Sequence, residues 1–470
     1  MSETIPLVGR LHFAGLAGSG MSALAQVEAM GGRDVSGSDR AFDRGERAAD
    51  RALLEMQRIV VTPQDGSGVR TMPAAVVAST AVESAVPDIA VARELGVPVV
   101  HRSELLAHHV ASHRTIAVAG TSGKSTVVAM LFEILRGAGR DPSVITGGEI
   151  VALQRAGYWG NAWAGGGELL VVEADESDGS LVRYTPAIGI LLNLQRDHHE
   201  IATVAEMFAT FRAQVREVCV VSADPRLAPF ARGAWAWTVG DEPAPDGAAR
   251  VLRTRDIDVT ARGSRFRLDG VTFTLPAPGL HNVRNATAAL VAALAAGVPL
   301  AECVAPLAAF AGVHRRFQTI AATHGVEVID DFAHNPDKIR AALATARARG
   351  RRTLAVYQPH GFGPTRFLRH DLVNAFAESL RADDRLYMLD IFYAGGTAAK
   401  DIASANLVSD LVARGMHAAV PPTRDALVQT LGVEARDGDV ILVMGARDPS
   451  LTDLARAVAQ RLTRGTHPVA

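Results

Sequence analysis

Short apolar runs alternate along this chain with longer stretches of mixed polarity, and the pattern restarts three times. The first block opens with Leu11-His12-Phe13-Ala14, passes through glycines and continues into a helical stretch over 21–30. Strands follow at 75–78 and, across Pro98, at 97–100. The second opens with Thr115-Ile116-Ala117-Val118-Ala119, an uninterrupted run of the kind buried in parallel sheets. A glycine turn, a helix over 126–136 and strands at 169–172 and 187–192 complete it, both strands ending at charged clusters. The third begins near His314 and sets strands at 326–329, 353–357, 385–389 and 440–443 among helical stretches. Strands alternating with helices predict an α/β fold of parallel sheets with right-handed crossovers, and ligands at the carboxyl ends of the strands. The alanine-rich run 286–313 is broken by Gly297, Pro299, Glu302 and Pro306, which predicts two short packed helices rather than a membrane span.

Length and composition narrow this. A chain of 470 residues, 48% apolar, exceeds one core and predicts two or three domains. We place the boundaries near 108 and 313, giving domains 1–108, 109–313 and 314–470. A net charge of −2 argues against an electrostatic grip on nucleic acid or anionic membrane. Cys219 and Cys303 lack metal-like spacing and predict buried thiols in a reducing compartment. The start Met1-Ser2-Glu3-Thr4 lacks the layout of a signal peptide, so a cytoplasmic, soluble protein is expected. Positive charge is nearly all arginine; the only lysines are Lys124, Lys338 and Lys400.

Lys124 stands in Gly120-Thr121-Ser122-Gly123-Lys124-Ser125-Thr126, between a strand and a helix. Glycines let backbone N–H groups surround phosphate oxygens, and the helix N-terminus adds partial positive charge. Lys124 would reach the β- and γ-phosphates, and the Ser125 hydroxyl would face Mg²⁺. The usual nucleotide loop has an earlier glycine where this chain has Val118, so the loop is a shortened one. Two acidic strand ends follow: Glu173-Ala174-Asp175-Glu176-Ser177-Asp178, then Asn193-Leu194-Gln195-Arg196-Asp197-His198-His199-Glu200. In this order they suit a site for ATP and Mg²⁺, a metal of hard oxygen ligands.

Taken together, these motifs resemble the central domain of the Mur ligases of bacterial cell-wall synthesis. The resemblance continues through Gly279-Leu280-His281-Asn282-Val283-Arg284-Asn285-Ala286, His314-Arg315-Arg316-Phe317-Gln318, Asp330-Asp331-Phe332-Ala333-His334-Asn335-Pro336 and Tyr357-Gln358-Pro359-His360. At the front, Gly15-Leu16-Ala17-Gly18-Ser19-Gly20-Met21 and Val35-Ser36-Gly37-Ser38-Asp39 look like the family's nucleotide-sugar domain. The resemblance implies a Rossmann-like first domain for a UDP-sugar, a central domain of P-loop ATPase type, and a Rossmann-like third domain for the amino acid. It implies ATP-binding by residues 120–126, His281, Asn285, Arg316 and Asp331. It implies metal ligands Ser125, Glu173 and His198, and UDP-sugar contacts at Gly15, Gly18, Ser19, Gly20, Met21, Ser38, Asp39, Ser79 and Thr80. Catalytic roles fall to Lys124, His198, His360 and Arg366, with His334 a second candidate base.

Within the family, the Glu-Ala-Asp-Glu-Ser-Asp run, Arg315-Arg316-Phe317-Gln318, Gln358-Pro359-His360 and Met388-Leu389-Asp390 are most like the branch that adds L-alanine to UDP-N-acetylmuramate. No lysine lies between His198 and Asp331, consistent with that branch and with a close relative that recycles murein peptides. Four departures stand out. Where the alanine-adding branch is rich in arginine, this chain reads Gly361-Phe362-Gly363-Pro364-Thr365-Arg366, and only Arg366 remains as a carboxylate clamp. Ser122 replaces a common histidine, Gln195-Arg196 replaces a more acidic pair, and Gly445-Ala446-Arg447-Asp448-Pro449 is unlike that branch. Three readings follow: the alanine-adding ligase, a peptide-recycling or divergent ligase with another amine, and an inactive nucleotide-binding partner subunit. The protein is expected to be a monomer or homodimer.

Overall fold

The computed structural model describes residues 8–80, 82–195, 200–393 and 399–464. They form two compact units: one reaches Val259 and adds Gly263–Val313, and the other comprises Thr260–Arg262 and the chain from His314. Each is described by itself.

The first unit holds two sheets. Strands β1 (Leu11–Ala14), β2 (Val35–Ser38), β3 (Val60–Thr62), β4 (Ala75–Ala78) and β5 (Val99–His101) form an all-parallel sheet in the order β3-β2-β1-β4-β5. The second sheet takes β6 (Arg114–Ala119), β7 (Ser143–Ile145), β8 (Ala162–Trp163), β9 (Leu169–Ala174), β10 (Ile188–Leu191), β11 (Val218–Ser222), β12 (Trp235–Val239), β13 (Arg250–Val259), β14 (Ser264–Leu268) and β15 (Val271–Leu275). Their order is β15-β14-β13-β12-β11-β10-β6-β9-β7-β8. The uninterrupted apolar run at β6 is explained by its place: side chains Ile116 and Val118 pack into one core, Ala117 and Ala119 into another. The second of these cores also takes Leu11, Phe13 and Leu24 from the first sheet's layer, so the two sheets of this unit share apolar packing.

The purely parallel expectation needs correcting at the edges. The pairs β13–β14, β14–β15 and β7–β8 are antiparallel. The run 286–313 does contribute helices, Leu280–Ala295 and Leu300–Ala308, divided at Gly297 and Pro299. No helix among the described residues is long and apolar enough to cross a membrane. Cys219 and Cys303 are both buried, and burial raises their thiols to about 12 and about 11.

In the second unit, β16 (Gln318–Thr323), β17 (Val326–Asp331), β18 (Arg352–Tyr357), β19 (Arg385–Met388), β20 (Ala418–Ala419) and β21 (Asp439–Met444) run in the order β16-β17-β21-β18-β19-β20. Only the β16–β17 pair is antiparallel. Separate apolar clusters cover the two faces, one around Phe376 and Leu442 and one around Leu427 and Ile441.

Candidate active site

Strand order in the second sheet decides which motifs meet. β6 lies between β9 and β10, with Val118 level with Glu173 and Ala119 level with Leu191. The turn Gly120–Gly123, the acidic run from Glu173 and the segment from Asn193 therefore leave the same edge side by side. Gly120 takes φ +148°, and a Cβ there would lie 2.8 Å from the Leu192 Cβ, so only glycine fits. Asn193 fastens the loop: its Oδ1 accepts from the Thr121 hydroxyl (2.8 Å) and the Ser122 N–H (2.9 Å), and its Nδ2 donates to the Ser122 carbonyl (2.9 Å). Gly123, at φ +87°, opens the helix Lys124–Gly137, and a Cβ there would meet Asn285 Oδ1 at 2.6 Å. Asn285 is thus placed against the loop, while His281 lies exposed on the first turn of its helix.

Lys124 is held by the loop and by two acidic side chains. Its Nζ donates to the Gly120 carbonyl (2.8 Å) and to Glu176 (2.7 Å), with Asp175 at 3.3 Å. Burial works against its charge, but Asp175, Glu176 and Glu173 outweigh that and raise its pKa to about 12. One helical residue on, the Ser125 hydroxyl faces Glu173 at 3.1 Å. Glu173 Oε2 also accepts from the Thr146 hydroxyl (2.9 Å) and the Gly147 N–H (3.0 Å). Two hydroxyls and a carboxylate converging beside a phosphate loop are the hard oxygen donors that Mg²⁺ takes, so these residues fit the ion. Among the described residues no group of three or more His, Cys, Asp or Glu side chains could hold a metal, and His198, with Asp197, lies outside them.

The first sheet brings together the predicted sugar-binding residues. β1 is flanked by β2 and β4, so Gly15–Met21, Ser38–Asp39 and Ser79–Thr80 leave neighbouring strand ends. The Ser38 carbonyl accepts from the Gly15 and Leu16 N–H groups (2.9 Å each), and Asp39 accepts from the Ala17 N–H (2.9 Å). The Ser38 hydroxyl points inward instead, into a buried network with Asp88, His12 and Ser36. Arg102 pairs with Asp178 and lies so close to Gly20 that a Cβ there would sit 2.8 Å from its Nη1.

At the carboxyl edge of the second unit's sheet, the adjacent arginines have opposite fates. Arg315 is buried, bonded to Asp330 (3.2 Å) and to the Gly445 carbonyl (2.6 Å), whereas Arg316 is exposed over the Phe332 ring (4.9 Å). Asp331 accepts from the Phe317 and Ala333 N–H groups (2.6 and 2.7 Å), and burial raises its pKa to about 6 against the pull of Arg316. His334 donates from Nδ1 to the Phe332 carbonyl (2.9 Å), and burial lowers its pKa to about 3. The His360 ring lies 5.5 Å from it. Arg366, on the short helix Phe362–Phe367 that follows Gly361, pairs with Asp401.

Sequence reasoning missed Thr146, Gly147 and Arg102. The available signal for the first two was a short apolar run, Ser143-Val144-Ile145, released into Thr146-Gly147-Gly148. Comparison with known proteins shows what the chain is similar to. The sequence matches the Mur ligase family, catalytic domain over residues 10–114, the Mur ligase middle domain over 118–293, and the Mur ligase, glutamate ligase domain over 315–447. It is 36% identical to a UDP-N-acetylmuramate–L-alanine ligase of Streptomyces avermitilis, over 97% of this chain and 98% of that one. A protein of the same name from Renibacterium salmoninarum is 33% identical, over 99% and 100%. The crystal structure of a UDP-N-acetylmuramate–alanine ligase from Thermotoga maritima superposes with a TM-score of 0.79 at 25% identity, covering 97% of this chain and 100% of that one.

Proposed function

The chain belongs to the Mur ligase family, and on that premise we propose that it is an ATP-dependent ligase joining L-alanine to the carboxylate of UDP-N-acetylmuramate. The observation that carries this reading is the meeting of Lys124 with Asp175 and Glu176 beside that of Ser125 with Glu173, in a chain whose near full-length relatives bear that name.

A carboxylate is a poor electrophile, so one of its oxygens first attacks the γ-phosphorus of ATP and ADP leaves. The two anions repel as they approach, and Lys124 supplies a positive charge already in position. Arrival of the triphosphate gives Lys124 a stronger partner than Glu176 and Asp175. Ser125 and Glu173 would hold Mg²⁺, with His198 proposed as a further ligand; when bound, the ion neutralises phosphate oxygens. The amine then attacks the acyl phosphate carbon, and inorganic phosphate leaves from the tetrahedral intermediate. His360 is the proposed base, because a His334 imidazole with a pKa of about 3 accepts protons weakly.

The other roles follow the same reading. Asn285 and His281 serve the adenine end, Arg316 the phosphates and Asp331 the ribose. The loop Gly15–Met21, with Asp39, Ser79 and Thr80, serves the UDP-sugar. Domains 1–108, 109–313 and 314–470 would carry sugar, ATP and amino acid respectively. A larger amine, such as a peptide, is favoured by one observation: the turn Gly361–Pro364 has glycine and proline where arginines would grip an amino acid. One assay decides between them. Phosphate release from ATP with UDP-N-acetylmuramate, scanned across L-alanine, other amino acids and muropeptides, should be fastest with L-alanine. No amine-dependent release with any of them would overturn the ligase reading.

A further inference from the structure

We infer that Arg447, on the loop after β21, binds the carboxylate of the incoming amino acid. The inference rests on the ligase reading and names a residue of its amine site. The loop Gly445–Ser450 leaves the middle of the sheet, since β21 lies between β17 and β18. That places it beside Asp331 at the end of β17 and Gln358 at the end of β18: the Gly445 N–H donates to the Asp331 carbonyl (3.2 Å), and the Gln358 N–H donates to the Met444 carbonyl (3.0 Å). In open α/β sheets, ligands sit at this edge.

Two arginines lock the loop from behind. Buried Arg315 donates to the carbonyls of Gly445 (2.6 Å), Ala446 (3.4 Å) and Asp448 (3.1 Å). Arg424 pairs with the Asp448 carboxylate and donates to the Ser450 hydroxyl (2.6 Å) and to Gln358 Oε1 (3.3 Å). Between these fixed points, Arg447 is exposed and has no hydrogen-bond or ion-pair partner among the described residues. Other arginines of this unit are engaged: Arg366 with Asp401, Arg369 with Asp410, Arg424 with Asp448 and Arg315 with Asp330, while Arg316 lies over the Phe332 ring. An unpaired guanidinium on a rigid loop is a preorganised carboxylate receptor, and its planar fork can bind both oxygens at once. Gly361 and Pro364 cannot supply such a contact, so Arg447 offers from β21 the positive charge that the turn after β18 lacks.

The test is steady-state kinetics of Arg447→Ala and Arg447→Lys with the best amino acid from the assay above. Arg447→Ala should raise the KM for that amino acid at least tenfold, leave the KM for ATP and for UDP-N-acetylmuramate within about twofold, and keep most of kcat. Arg447→Lys should recover part of the loss, and the amino-acid amide, which has no carboxylate, should be used equally poorly by wild type and Arg447→Ala. Arg366→Ala, tested in parallel, should change the amino-acid KM less. An unchanged amino-acid KM in Arg447→Ala overturns the inference, as does a rise confined to the KM for ATP. Wild-type activity with an unaffected Arg447→Ala defeats this inference alone, whereas an inactive wild type defeats the ligase reading as well.

Discussion

Glu176 is nearly inaccessible and Lys124 is mostly buried beside it, so the phosphate loop carries its own internal counter-ion. Removing only the cation leaves Asp175, Glu176 and Glu173 to repel the triphosphate. Lys124→Ala should therefore lower turnover more than a hundredfold, about 3 kcal/mol or more of barrier, without weakening UDP-N-acetylmuramate binding. Near-normal turnover would mean that the nucleotide site lies elsewhere. Glu173→Gln keeps the shape but not the charge, and its one carbonyl oxygen, set where Glu173 Oε2 lies, can still accept from both Ser125 and Thr146. The Mg²⁺ concentration for half-maximal activity should rise at least tenfold, and an unchanged Mg²⁺ titration would remove Glu173 from the metal site. These residues were legible because each follows a strand end in a fixed order. Arg315 and Arg316 were not separable in that way, since neighbouring arginines look alike until burial divides them. The same holds for Arg447, whose meaning depends on what Arg315 and Arg424 grip.

Among the elements, many of the buried parallel strands were legible, while β2, β3, β7, β11 to β13, β20 and the hairpins were not. Predicted strands at 115–119 and 169–172 fall within β6 and β9, because doubly buried strands leave uninterrupted apolar runs. The strands β14 and β15 alternate instead, with Phe266 and Phe273 paired on the buried face. Between them Asp269 and Gly270 both take positive φ, an Asp-Gly hairpin turn readable in principle from the sequence. The helix Lys124–Gly137 carries a second, less visible feature near its far end. Glu133 accepts from the Ala311 N–H at 3.1 Å, its other oxygen is buried without a hydrogen-bond partner, and burial raises its pKa to about 7. Because the folded pKa exceeds the unfolded one, this group costs nothing below about pH 4.5, and stability is lost as the pH rises towards and through about 7. Glu133→Gln removes that charge, so it should match wild type in denaturant unfolding near pH 4.5 and exceed it by about 1–3 kcal/mol at pH 8. An equal gap at both pH values would show that Glu133 does not titrate in this range.

At the scale of the whole molecule, the apolar clusters sort by unit. The two clusters of the six-stranded sheet draw only on residues after His314, and the two that flank the ten-stranded sheet only on residues up to Val313. Cooperative unfolding requires that loss of one core exposes another, and each of these clusters is built from residues of a single unit. Thermal unfolding is therefore expected to show more than one transition rather than a single two-state one. UDP-N-acetylmuramate, whose proposed contacts Gly15–Met21 and Asp39 all lie in the first unit, should raise the transition of that unit. The shift should grow with ligand concentration as mass action requires, while the transition of the second unit stays in place. A fragment ending at Val313 should accordingly fold, bind the UDP-sugar with an affinity close to that of the full chain, and release no phosphate when given ATP and L-alanine. Differential scanning calorimetry of the full chain with and without UDP-N-acetylmuramate, alongside titration of the fragment, checks both points. A single transition whose calorimetric and van't Hoff enthalpies agree, moving as one with the ligand, would show that the two units fold as one body.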